Sequence, residues 1–143
     1  MYLSEHFTLA EMTVSETAAR RGLDNSPSPQ IMANLRRLCA FLERVRLLHG
    51  KPVLVSSGYR SVELNSALGG TPGSAHTRGL AADINVPGVT PAALARSVAD
   101  SRLMFDQLIL EYDQWVHIGL GDAQQRRQLL TIRRGTGYLP GVV

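Results

Sequence analysis

From Ile31 onward the apolar residues Leu35, Leu38, Leu42, Val45 and Leu48 recur every three or four positions. That is the period of a helix with one buried face, and it predicts a long amphipathic helix ended by Gly50. Ser28 followed by Pro29 marks its start, because proline's missing N–H costs nothing in a first helical turn. Beyond Gly50 the period shortens. "PVLVSS" (52–57) reads as a buried strand. In "AADINV" (81–86) alternation puts Ala82, Ile84 and Val86 on one strand face and Asp83 and Asn85 on the other. Asp83 is therefore expected to point away from the apolar side. "DQLILEY" (106–112) and "WVHIGL" (115–120) are predicted as two more strands.

Shorter signals fill the intervals. "TLAE" (8–11) and "TVSE" (13–16) each place Thr three residues before Glu, the reciprocal cap of a helix start, and predict two short helices, the second stopping at Gly22. "LDNSPSPQ" is a turn-rich connection, "SVELNSAL" after Arg60 a short helix, and Thr90–Pro91 the start of another helix running to about Ser101. "GGTPGSAHTRG", between Gly69 and Gly79, is too rich in Gly, Pro, Ser and Thr for a regular element, so His76 is expected on a loop. No repeat or low-complexity tract interrupts the chain. The pattern predicts an α+β fold: a small antiparallel sheet with helices packed on one face. At 143 residues and 44% hydrophobic content, residues 1–143 are expected to form a single domain.

Charge changes this picture little. The net charge of +3 and sequence pI near 9.5 favour anionic surroundings only mildly. Arg36, Arg37, Arg44 and Arg46 fall within the long helix, and Arg126, Arg127, Arg133 and Arg134 in the tail. Without interleaved aromatic residues to stack on bases, they read as solvated faces, and no nucleic-acid partner is expected. Cys39, the one cysteine, has no internal partner for a disulfide and lies in the helical apolar pattern, where packing accounts for it. "MYLSEHFTLAEM" lacks the basic start and apolar run of a secretory signal, and no segment approaches the ~20 apolar residues of a membrane span. Synthesis in the cytoplasm without membrane insertion is the expectation.

Four histidines are present. His49, beside Gly50, complements a helix dipole, and His6 lies near the N-terminus; both read as structural or surface residues. His76 and His117 differ, the first on a loop seven residues before Asp83 and the second in mid-strand, where a buried imidazole needs a partner. Two imidazoles and a carboxylate, with a fourth position left to water, would make a catalytic zinc set. Taken alone, the His76–Asp83 spacing is a weak pattern that reads first as a hydrogen bond pinning a loop. Nothing in the sequence calls for a nucleotide, flavin or haem.

"SSGYRS" (56–61), "GGTPGSAHTRGLAADI" (69–84) and "EYDQWVH" (111–117) follow the order and approximate spacing of the zinc D-Ala-D-Ala carboxypeptidase family. That family includes bacterial dipeptidases, phage cell-wall endopeptidases and the metal-binding signalling domain of Hedgehog. The N-terminal "LSEHFTLAEMTVSETAARRGLDNSPSP" resembles the opening of its small phage and prophage branch, and the resemblance covers about residues 3 to 120. It implies a Hedgehog/D-Ala-D-Ala-peptidase-like fold and a zinc peptidase acting on peptidoglycan stem peptides or cross-links. His76, Asp83 and His117 would be the zinc ligands. Arg60 matches the arginine that contacts substrate and steadies the oxyanion, its duller alternative being a surface salt bridge. Ser74 matches a serine that would bind substrate backbone or only shape the loop, and Trp115 would line the cleft or simply pack.

The general base is less direct. Several relatives carry the catalytic glutamate three residues before the last histidine, where this chain has Gln114. Glu111 and Asp113 remain, both on the His117 face if the segment is extended, and a turn within "EYDQW" must bring one of them back. Hedgehog-like members place their glutamate six residues before the last ligand, which selects Glu111, with Asp113 as substitute. A metal-stabilised binding module without turnover is the alternative function. As an enzyme the chain would be a monomer that reaches the periplasm or cell wall after release, or is associated with a virion or prophage.

Overall fold

A computed structural model describes residues 1–143. Along the chain come α1 (Leu9–Thr13), α2 (Glu16–Arg21), α3 (Pro29–His49), β1 (Leu54–Ser57), α4 (Val62–Ala67), a 3-10 turn (Ala75–Arg78), β2 (Ala81–Asn85), α5 (Pro91–Ala99), β3 (Gln107–Glu111), β4 (Trp115–Gly119), β5 (Gln128–Arg133) and β6 (Gly137–Pro140). The strands form one sheet in the order β1-β2-β4-β3-β5-β6. The fold is α+β, as the pattern predicts.

Local chemistry sets these boundaries. Ser28 Oγ accepts the Ile31 N–H at 3.3 Å, Pro29 occupies the first turn of α3, and Gly50 ends the helix at φ 61°. Leu35, Leu38, Cys39, Phe41, Leu42 and Val45 form its buried stripe, whereas Leu48 ends up about half exposed because the stripe has rotated off the sheet by the last turn. Thr8 and Glu11 form the reciprocal cap of α1. The second predicted cap is displaced: Ser15, not Thr13, receives the α2 amide, from Ala18 at 3.1 Å. Thr13 is instead the last residue of α1, and its hydroxyl bonds back to the Leu9 carbonyl at 2.9 Å.

A core of 23 buried residues lies between the sheet and helices α3 and α5, with Leu35, Leu38 and Leu42 from α3, Leu94 and Val98 from α5, and Ile84, Leu108, Leu110, Val116 and Ile118 from the sheet. The strand alternation leaves Asp83, Ile109, Glu111, Trp115 and His117 on the opposite face, where the main cleft lies. The N-terminus is tied to α3 through Glu43, which accepts from the Ser4 hydroxyl at 2.6 Å and the His6 amide at 2.7 Å.

The sequence pattern assigns no element to residues beyond Leu120, yet β5 and β6 complete the sheet. β5 is the one strand that joins its neighbour in parallel, pairing Ile109 with Leu130 and Glu111 with Ile132, so the sheet is mixed; β1, β2, β4 and β3 are antiparallel as predicted. Its alternation is blurred by apolar residues on both faces. Leu129 and Thr131 face the core side, and Leu130 and Ile132 face the cleft side. No helix is long and apolar enough to cross a membrane.

Candidate active site

Asp83 on β2 stands directly opposite His117 on β4, on the open face of the sheet. His76 arrives from the 3-10 turn just before β2, with Ser74 at its N-terminus accepting the His76 amide at 3.2 Å and Gly79 ending the turn at φ 71°. The Gly58 carbonyl, in the chain leaving β1, lies 2.7 Å from His76 Nδ1. An acceptor there receives the Nδ1–H hydrogen bond and turns Nε2 toward Asp83, as the nitrogen a cation would use. His76 Nε2 is 3.4 Å, and His117 Nδ1 3.0 Å, from the same oxygen of Asp83. One potential ligand atom from each residue lies within 4.8 Å of the other two.

Burial alone would raise the Asp83 carboxyl pKa, but hydrogen bonds from His117 and His76, and their charge, outweigh it and hold the group well below the ordinary carboxylate range. The carboxylate is ionised although nearly buried. One ionised oxygen ligand and two imidazoles of fixed orientation are a donor set that suits zinc, and His76, Asp83 and His117 could hold it.

Glu111 ends β3 and pairs across the hairpin with Trp115. The Trp115 indole N–H donates to its carboxylate at 2.7 Å. The Gln114 amide closes the turn on the Glu111 carbonyl at 3.0 Å, and the two central residues, Tyr112 and Asp113, both lie in the left-handed region at φ 55° and 54°. This tight turn folds Glu111 back into the cleft with His76, Asp83 and His117. Burial, then the charge of Asp83, raises the Glu111 pKa above its usual value. Asp113 is not brought into the cleft. It is half exposed and makes a two-pronged pair with Arg133, at 2.8 and 3.0 Å, which lowers its pKa.

Arg60 is not a surface salt bridge. Its side chain is 18% exposed, with Nη2 3.6 Å from Asp83, Nε donating to Ser57 at 3.1 Å and Nη1 donating to Asn65 at 3.3 Å. Buried Asn65 in turn donates to the Thr71 carbonyl at 3.0 Å, joining the arginine to the glycine-rich loop. Arg60, Ser74 and Trp115 all line the cleft, whose volume is about 710 Å³. The sequence pattern misses four contributors. The Gly58 carbonyl leaves no side-chain signature, Asn65 reads as one polar residue of a short helix, and Leu130 and Tyr138 come from strands that the pattern does not resolve.

His6 and His49 lie apart from this cluster, His6 with its Nδ1 2.7 Å from Glu43 and His49 with its Nε2 2.7 Å from Ser97. Comparison with curated proteins finds no match. Comparison with protein families gives a match over residues 5–119, which include all three residues of the His-Asp-His cluster, Arg60 and Glu111. The family is described as Peptidase M15, and the chain belongs to it, a family of zinc metallopeptidases that are D-Ala-D-Ala carboxypeptidase-like.

Proposed function

We propose that this protein hydrolyses peptide bonds in the stem peptides or cross-links of peptidoglycan, as a zinc enzyme acting at the cell wall. The observation that carries the reading is the convergence of His76, Asp83 and His117 with Glu111 in one open cleft. Held by those three residues, zinc would supply Lewis acidity, acidifying water and polarising the scissile carbonyl. Glu111 takes the proton of the attacking water and passes it to the leaving amine, while the Trp115 N–H keeps its carboxylate in place. Arg60 faces the charge that develops on the carbonyl oxygen, a contribution of a few kcal/mol from a preorganised donor. Its bonds to Ser57 and Asn65 fix the guanidinium before substrate arrives. Ser74 and Trp115 border the bound peptide.

Zymography on purified sacculi, with and without a chelator, tests the reading. Clearing that a chelator abolishes and zinc restores is the expected result. No clearing by zinc-loaded protein would leave a metal-stabilised binding module in its place.

A further inference from the structure

The cleft extends well past the His-Asp-His cluster, along the sheet toward its β6 edge. Asp83, His117, Ile109, Leu130 and Pro140 form one row across five strands. In the next row Trp115, Glu111, Ile132 and Tyr138 follow one another. At about 4.8 Å between strands, the step from His117 on β4 to Tyr138 on β6 spans about 14 Å, the reach of roughly four extended residues. Leu130 and Tyr138 line that stretch of the cleft, and both lie beyond the segment that matches the family.

Its chemistry differs from that of the opposite end, which carries the Arg60 guanidinium and the polar Gly69–Ser74 loop. Ile109 and Leu130 form an apolar floor, and Tyr138, 58% exposed, offers a ring at the rim. The charges along this stretch neutralise each other. Arg126 binds both carboxylate oxygens of Asp106, at 2.9 and 2.8 Å, and Gln107 donates to Gln128 at 2.9 Å.

We infer that the β5–β6 hairpin is a specificity wall, which binds several residues of an extended peptide through apolar contacts on one side of the scissile bond. The inference rests on the peptidase reading of the cleft and deepens it. A cleft that holds several residues past the cluster favours cross-linked or internal stem-peptide bonds over removal of one terminal residue. The wall adds affinity for peptide length and leaves the three ligand residues untouched.

Binding and turnover separate this inference from the peptidase reading. Zinc-loaded Glu111→Gln protein is titrated calorimetrically with muropeptides of rising length, from the disaccharide tripeptide to a cross-linked dimer. The dissociation constant is expected to tighten at least tenfold along the series. Tyr138→Ser and Leu130→Gln, each introduced into the same background, should remove most of that gain while zinc stoichiometry and melting temperature stay close to those of the parent. Equal affinity at every length, no binding at all, or a gain that survives both substitutions would overturn the wall. Turnover of the same muropeptides by the unsubstituted protein is read separately: length-dependent binding without any turnover would remove the peptidase reading and leave the wall standing.

Discussion

Asp83 meets three cations or potential cations with two oxygens, which is why a buried carboxylate at this position remains charged. Glu111, two strands away, experiences the reverse: burial and a neighbouring carboxylate push its proton affinity up. Two acids in one cleft are thus driven apart, one suited to hold a cation and one to exchange a proton. Removing the proton-exchanging group should separate chemistry from metal binding. Glu111→Gln is expected to lose at least a hundredfold in kcat at full zinc occupancy, and Asp113→Asn, which only frees Arg133, to lose less than threefold. Steady-state kinetics with metal analysis checks both; the opposite ranking would make Asp113 the base. At this scale the sequence was informative wherever a side chain carries the chemistry. His76, Asp83 and His117 were candidate ligands by residue type, and their grouping came from the resemblance of the surrounding motifs, whereas the choice between Glu111 and Asp113 depended on the conformation of the turn, with Tyr112 and Asp113 in the left-handed region.

The elements around the site depend on one close approach. A Cβ at Gly58 would lie 2.5 Å from the Met12 carbonyl oxygen, so glycine is what lets β1's exit pass under the end of α1. The same residue presents the carbonyl that fixes His76. Gly58→Ala is therefore expected to cost roughly 1–3 kcal/mol of stability through overpacking and to weaken zinc binding with it. Gly22→Ala provides the contrast. Gly22 ends α2 at φ 64°, and a methyl group there would meet nothing within 4 Å, so only about 1 kcal/mol of backbone strain is expected, with zinc affinity unchanged. Denaturant unfolding and zinc titration of the two variants check this. The helices and the first four strands were legible because each has one wet face or a marked cap, but β1, expected to be buried, lies at the edge of the sheet with Leu54 about half exposed. Thr13 misled because it is already the last residue of α1, so that Ser15, the residue just before α2, supplies the cap. β5 was illegible because a strand that is apolar toward both core and cleft shows no alternation.

Across the whole molecule, the His-Asp-His cluster ties the 3-10 turn to two neighbouring strands, so a bound cation would bridge segments from residue 76 to residue 117. Binding to the folded state alone adds about 2.7 kcal/mol at a hundredfold excess over the dissociation constant. For a chain of this size that corresponds to a rise of roughly 5–15 °C in melting temperature. Thermal scans with zinc and with a chelator are expected to differ by that amount, and His76→Ala should erase the difference. An α+β layout was readable from the order of patterns, but the position of the last two strands depended on long-range pairing of β5 with β3, which no local pattern encodes. Cys39 has its own consequence at this scale. It is fully buried in the core, and burial with the nearby Glu43 and Glu11 charges pushes its thiol up to about 12. The folded chain therefore offers no thiolate for exchange near neutral pH, and with one cysteine it has no internal disulfide to gain or lose. It thus has no disulfide state to set, and a change of thiol redox potential leaves its cross-linking unchanged.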